Sequence, residues 1–330
     1  MKVSVVIPTY NSAEFIKTTL DSVLNQTLPP YEILVLDDGS TDDTISILNA
    51  YKSRITLYQQ QNRGVAAARN ALCALTQGDI IAFLDHDDIW HPNYLEVQCS
   101  LLNRYPSAVA SFTGHVNFFG YGSYHWADSL SNKSSHIELM NPLSFLEQYN
   151  KNTGYFASMS YCCIPKKTLI WIGLEPFCVS VSGADDFYLF NVLPLIGSVV
   201  FITMPLAAYR ITDAAQSDNR IKSLTLALHS FELLQRRYQE VHDKNLYKLF
   251  KMVFASKRRH YAKILMTAGM FAGARMQLLS SLKNTCNPVS VVKSLLLLSL
   301  SYLPAQLQPS WLPINRGSIP CEQQSTGVEK

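Results

Sequence analysis

The sequence has no Cys-x-x-Cys pair, no glycine-rich phosphate loop and no apolar run long enough to cross a bilayer. Its seven cysteines are scattered apart from the adjacent Cys162 and Cys163. That odd number, without zinc-ligand or paired spacing, fits free thiols in a reducing compartment. Neither a P-loop nor a Gly-x-Gly-x-x-Gly fingerprint follows an apolar strand, which sets aside ATPases and dinucleotide-dependent dehydrogenases. The longest apolar stretch, Leu295 to Leu303, falls short of the roughly 20 residues that a spanning helix needs. Lys2 and the short run Val3 to Ile7, stopped by Pro8, read as a first β-strand and not as a secretory leader. Charged residues are sparse, 16% against 48% hydrophobic, so the chain can bury a sizeable core. Disorder is expected only at the end, where Pro304, Pro309, Pro313 and Pro320 fall.

Acidic charge is unevenly placed. From Glu232 to Lys293 there are twelve Lys or Arg and three Asp or Glu, so this stretch carries +9 and the rest of the chain −6. Such asymmetry points to a surface that meets phosphate or anionic lipid. With no recognisable nucleic-acid module, nucleic acid is not an expected partner.

The first hundred residues alternate strand and helix. Strands are predicted at Val3–Ile7, Glu32–Leu36, Ile55–Tyr58 and Asp79–Leu84. Helices are predicted at 12–25, capped by Asn11 or Ser12, at 42–51, capped by Ser40 or Thr41, and at 64–76. A further helix is opened by Pro92 at its first turn. This order means a doubly wound, mostly parallel α/β sheet flanked by helices. Ligands bind such sheets at the carboxyl ends of the strands, where Pro8-Thr9-Tyr10-Asn11, Asp37-Asp38-Gly39-Ser40 and Asp85-His86-Asp87-Asp88 fall. Residues 114–160 are irregular, and helical segments run from about 221 to 282.

Asp85 and Asp87 are two residues apart on extended chain and so share a face. They make a hard-oxygen pair suited to Mg²⁺ or Mn²⁺, with positions left for substrate phosphates. The competing reading is a solvated acidic turn before a helix. His86 reads as an outward or packed residue rather than a ligand. Asp38 could accept hydrogen bonds from a base or ribose, or cap the next helix. Arg69 could hold an aspartate or contact phosphate. Asp185 and Asp186 precede an apolar run, where one carboxylate with a raised pKa could act as general base; both could equally be helix N-terminal residues facing the dipole. Spacing does not choose between them.

Together these segments resemble family 2 glycosyltransferases of the GT-A fold. The resemblance rests on Val3-Ser-Val-Val-Ile-Pro-Thr-Tyr-Asn11, Asp37-Asp-Gly-Ser-Thr-Asp42, Asn62-Arg-Gly-Val-Ala-Ala-Ala-Arg-Asn70 and Phe83-Leu-Asp-His-Asp-Asp-Ile-Trp90, in family order and spacing. It implies that Pro8, Tyr10 and Asp38 frame the base and ribose of a UDP-, GDP- or dTDP-linked donor. It also implies that Asp85 and Asp87 hold Mn²⁺ or Mg²⁺, Asp87 most directly, and that Asp185 or Asp186 is the base of an inverting displacement. Acceptors would be saccharides or lipid-linked saccharides of cell-surface polysaccharide assembly. The pair reads Asp-Asp where Glu-Asp is commoner in the family. Thr212 stands two residues after Arg210, where a His is frequent.

The resemblance implies a GT-A domain over 1–215, divided into a donor half at 1–110 and an acceptor half at 111–215. A helical basic extension at 216–303 and a flexible tail at 304–330 would follow. A cytoplasmic location is expected, with a peripheral position on the inner face of the plasma membrane suggested by the basic and apolar C-terminal residues. The alternative function is a non-catalytic nucleotide-sugar-binding scaffold or regulator.

Overall fold

Through the first hundred residues the apolar runs and polar turns fold as the pattern predicts. The computed structural model describes residues 1–126, 135–151, 157–173, 175–211, 220–285 and 287–303. Thr212 and the tail 304–330 lie outside the described residues. Strands β1 (Val3–Thr9), β2 (Glu32–Asp37), β3 (Thr56–Gln59) and β4 (Ile80–Phe83) lie parallel in the order β3-β2-β1-β4. Between them run α1 (Ile16–Leu24), α2 (Thr44–Asn49) and α3 (Val65–Leu75). One face of β1, Val3, Val5 and Ile7, packs in a core with Ile16, Leu20 and Val23 of α1. Val6, Leu34 and Leu36 point the other way and are also buried, as expected for strands covered on both sides.

The helix starts differ from their predicted caps. Asn11 and Ser12 do not cap α1, which begins only at Ile16. Instead Asn11 adopts φ +47, a left-handed conformation that Asn tolerates, and its Oδ1 accepts from Thr41 N at 2.8 Å. The turn after β1 is thereby latched to the turn after β2. Ser40 bonds back to the Asp37 carboxylate, and Asp42 Oδ1 accepts from Thr44 N at 3.0 Å at the start of α2. Pro92 lies two residues before α4 (Tyr94–Arg104), with Asn93 between them.

Past β4 the sheet changes direction. β5 (Ile89–Trp90), β6 (Ala110–Phe119), β7 (Ile137–Met140), β8 (Cys162–Pro165) and β9 (Val199–Ile211) extend it. β8 runs antiparallel to both β4 and β6, and β9 runs parallel to β6. β5 and β7 pair antiparallel with β9. The β6–β9 register shifts around Gly114, where a Cβ would meet Thr203 O at 2.5 Å. Glycine is needed for that close approach, and the bulge aims the end of β9 towards the acidic turn. Helices α5 (Pro142–Lys151), α6 (Lys166–Ile172) and α7 (Asp185–Val192) complete this half. The five described cysteines are free thiols.

The chain divides into two compact units, Met1–Val253 and Phe254–Lys330. Helix α8 (Arg220–Gln239) belongs to the first, where Phe231 meets Phe187 edge-on and Tyr238 Oη donates to Asn191 O at 2.7 Å. Helix α9 (Lys244–Thr267) runs into the second unit, which also holds α10 (Phe271–Lys283) and α11 (Pro288–Leu300). Asn287 caps α11 by accepting from Ser290 N, and Pro288 occupies its first turn. Among the described residues no helix is long and apolar enough to cross a membrane.

Candidate active site

Arg69 is the centre of the site. It projects from α3, is buried, and bridges carboxylates from distant parts of the chain. Its Nη2 donates to Asp85 Oδ1 at 2.5 Å and its Nη1 to Asp185 Oδ2 at 2.6 Å. Burial alone would disfavour the charged guanidinium. The carboxylates of Asp85, Asp185 and Asp186 outweigh that and raise its pKa, so it stays a cation. The neighbouring Asn70 fixes the same junction: its side chain donates to Phe177 O at 2.7 Å and accepts from Phe177 N at 2.9 Å. Both contacts hold the 177–186 segment against α3.

The two aspartates of the 185–186 pair are in different states. Asp185 is fully buried, and its second oxygen accepts from Gly183 N at 3.0 Å. Both its oxygens are thus engaged. Asp186 is only partly buried and has no ion pair among the described residues. Burial, then the charge of Asp185, push its carboxyl up to about 6, against the opposing pull of Arg69. A carboxylate poised there can accept a proton near neutrality.

The acidic turn after β4 is clamped on several sides. Thr19 Oγ1 donates to both His86 O and Asp88 O at 2.9 Å. Asp85 N donates to Ser160 Oγ at 3.1 Å. Arg210 N donates to Asp88 Oδ1 at 2.9 Å, and Arg210 Nε to Asp87 O at 2.7 Å. The Arg210 guanidinium also donates to Gly120 O and Gly122 O and lies over the Phe15 and Phe118 rings. These contacts fix the backbone of Asp87 and leave its carboxylate without an ion pair among the described residues. Burial raises the Asp87 pKa, and the neighbouring Asp85 charge adds to it. Tyr209 feels the charges of Asp88, Asp87, Asp85 and Asp186, which together with burial raise its phenol pKa.

Asp38 is tied into the same rim by a different route. Its Oδ1 accepts from Gln60 Nε2 at 2.7 Å and Arg63 N at 2.9 Å, and its Oδ2 from Gly64 N at 2.8 Å. Each carboxylate oxygen has two lone pairs, so one acceptor position remains on Oδ2. Ser182 Oγ accepts from Ala66 N at 3.3 Å, so the start of α3 touches both Asp38 and the segment leading to Asp185. Pro8 is buried at the end of β1, while Tyr10 is 43% exposed on the rim. The structure thus brings Arg69, Asp85, Asp87, Asp185 and Asp186 together and links Asp38 to them through α3. Tyr10 stands at the edge. Thr19, Asn70, Ser160 and Tyr209 were not singled out from sequence. Of these, only Asn70 carries a signal in the sequence, as the last residue of the Asn62–Asn70 segment.

Among the described residues no three His, Cys, Asp or Glu side chains are grouped to hold a metal ion by themselves. The donor chemistry instead suits an ion completed by substrate. Asp85 and Asp87 offer hard oxygens, and Asp87 is in no ion pair among the described residues. Mg²⁺ and Mn²⁺ sites of this kind keep most positions for water and phosphate.

A parallel half-sheet with an acidic turn at the end of β4, joined to a reversed half carrying buried aspartates, defines the GT-A glycosyltransferase class. The structure of TarS 1–349 from S. aureus in complex with UDP-GlcNAc shares the fold with a TM-score of 0.66 at 16% identity, over 91% of this chain and 90% of TarS 1–349. The mannosyltransferase PcManGT from Pyrobaculum calidifontis, in complex with GDP-Man and Mn²⁺, gives 0.57 at 19% identity, over 92% and 81% of the two chains. In sequence, residues 4–169 match Glycosyl transferase family 2, and the chain belongs to that family. The putative teichuronic acid biosynthesis glycosyltransferase TuaG of Bacillus subtilis is 42% identical over 117 residues, 34% of this chain and 46% of TuaG. The UDP-Glc:alpha-D-GlcNAc-diphosphoundecaprenol beta-1,3-glucosyltransferase WfgD of Escherichia coli is 30% identical over 226 residues, 67% of this chain and 82% of WfgD. The chain therefore spans less than half of TuaG and most of WfgD.

Proposed function

We propose that this protein transfers a sugar from a nucleotide diphosphate sugar to an acceptor hydroxyl, with inversion, in the assembly of a cell-surface polysaccharide. The observation that carries the proposal is the Arg69 bridge, which gathers Asp85 and Asp185 from the two halves of the domain beside Asp186. The names of TuaG and WfgD support the polysaccharide context. The acceptor of WfgD, a diphosphoundecaprenol-linked sugar, supports a lipid-linked saccharide as acceptor here. On this reading the protein is cytoplasmic and sits peripherally at the inner face of the plasma membrane.

Pro8 and Tyr10 line the base and ribose end of the donor, and Asp38 offers its remaining acceptor position to the nucleoside. Asp87 is the direct ligand of Mn²⁺ or Mg²⁺, supported by Asp85; the ion, when bound, neutralises charge growing on the leaving diphosphate. Asp186 accepts the proton of the attacking hydroxyl. Asp185 is a positioning residue: with Arg69 it fixes the start of α7 so that Asp186 faces the cleft. The guanidinium also limits how far the Asp186 pKa rises.

Two outcomes test these roles. Asp87→Ala is expected to fold normally and to lose Mn²⁺-dependent binding of the nucleotide diphosphate sugar, read by calorimetry with and without the ion. Binding that ignores both the ion and the substitution contradicts the ligand assignment. Because Asp186 must be deprotonated to work, kcat/KM of the parent is expected to fall as pH drops through about 6, by about tenfold per further unit. A profile that stays flat down to about pH 5 removes Asp186 from the base role.

A further inference from the structure

The second compact unit has an unusual surface. Between Phe254 and Leu303 there are seven Lys or Arg and no Asp or Glu at all. Helices α10 and α11 form an antiparallel hairpin. Ser281 meets Ser294 at 3.2 Å, and further along Arg275 Nη2 donates to Ser301 O at 2.7 Å. The inward face of α11 is small and partly polar, with Ser294, Leu297 and Ser301 buried.

The outward face is the reverse of what water favours. Val289, Val292, Leu295 and Leu296 recur at three- and four-residue spacing, Tyr302 follows the helix end, and each is 50–65% exposed. Only Ser299 interrupts this stripe with a polar side chain. Exposed Lys293 borders it, and exposed Lys283 ends α10. An apolar face this long on a surface helix marks an interaction site.

We propose that the outward face of α11 lies on an anionic lipid bilayer, with Lys283 and Lys293 at headgroup level. This deepens, and rests on, the peripheral membrane location proposed above. Charge decides the occupant. A second copy would bring another seven positive charges against residues 254–303, which hold no Asp or Glu to meet them. Nucleic acid would satisfy the charge but not the Val and Leu side chains. Hydrocarbon edged by anionic headgroups satisfies both. Tyr302, under the guanidinium of Arg275 at 4.0 Å, presents a ring with a polar tip, which suits the boundary between them.

The test is sedimentation of the full chain with vesicles of phosphatidylglycerol and phosphatidylcholine, or of phosphatidylcholine alone, in low and high salt. The parent is expected to pellet with the anionic vesicles and to be released by salt. Val292→Ser/Leu296→Ser is expected to weaken partitioning at least about tenfold. Lys283→Gln/Lys293→Gln is expected to weaken it about 30-fold. All the substituted residues are exposed, so far-UV circular dichroism and Tm should match the parent. Equal recovery in the supernatant with and without anionic vesicles overturns the inference. So does a Val292→Ser/Leu296→Ser variant that binds like the parent, or one that only converts a dimer into a monomer in light scattering, which makes the face a contact between copies. Binding of nucleotide sugar is measured on the same samples without vesicles. Its loss alone would count against the proposed reaction, and loss of vesicle binding alone against this surface.

Discussion

Asp186→Asn is expected to lower kcat by about 10³-fold while leaving donor affinity within about twofold. The expectation follows from the different environments of two adjacent carboxylates. Asp185 is sealed in the interior with both oxygens engaged, by Arg69 and by Gly183 N. Asp186 is partly open and its carboxyl is pushed up to about 6. Stability should move the other way from activity. A folded-state pKa above the ordinary carboxylate value means that folding favours the protonated form, so at neutral pH the ionised side chain costs stability. That cost is absent at pH values below the unfolded pKa and is complete above about 6. A neutral Asn removes it, so the Tm of Asp186→Asn at pH 7 should equal or exceed that of the parent. A variant that loses activity only in proportion to a falling Tm would make Asp186 structural.

Arg69→Met should have the opposite signature. It leaves Asp85 and Asp185 facing each other without the cation that joins them, and Asp185 has no water to turn to. Breaking a buried pair by removing one partner costs about 3–5 kcal/mol, which for a domain of this size lowers Tm by about 6–10 °C. Arg69→Lys should not rescue it, because one ammonium cannot reproduce a planar fork that serves two carboxylates from separate nitrogens. Arg69→Met/Asp185→Leu should recover much of the lost Tm, because neither charge is then stranded. It should not recover transfer, because Asp186 is no longer held. Thermal melts of the four proteins decide the matter. A single Arg69→Met variant as stable as the parent would show that the bridge does not hold the site together.

The N-terminal half was readable because its signals are local. β1 to β4 are short apolar runs bounded by turn residues, and the acidic turn follows β4 directly in the chain. The rest is built from pairings that periodicity cannot report. β6 and β9 lie side by side although some 90 positions separate Ala110 from Val199. The bulge at Gly114 breaks the alternation that would have marked β6 past Thr113. β8 is four residues long, and nothing in Cys162-Cys163-Ile164-Pro165 states that it runs against β4. Asn11 and Ser12 look like helix caps by residue type, but Asn11 bonds across to Ser40 and Thr41 of the β2 turn, while Ser12 bonds Thr9 of β1 and Thr44 of α2.

The site shows the same division. Asp85, Asp87 and the 185–186 pair could be found by residue type and place, and Arg69 was open between phosphate and aspartate. Its partners could not be read, because the two carboxylates it joins are 16 and 116 residues away. Thr19 is an ordinary threonine in the middle of α1 until the fold lays two carbonyls of the acidic turn over its hydroxyl. In the sequence Arg210 stands out only by its place two residues before Thr212. In the structure it is a buried staple that holds the backbone carbonyl of Asp87 and the carboxylate of Asp88 from across the sheet.

The central claim is that one donor is held between the Asp85–Asp87 turn and Asp186. Crystals grown with Mn²⁺ and the UDP-, GDP- or dTDP-sugar that most raises Tm test it directly through anomalous scattering at the manganese edge. The account expects a single peak beside Asp87, bridged by the diphosphate, with the sugar lying towards Asp186. A bound nucleotide sugar whose diphosphate lies away from Asp87, or a manganese peak on another part of the surface, would contradict it.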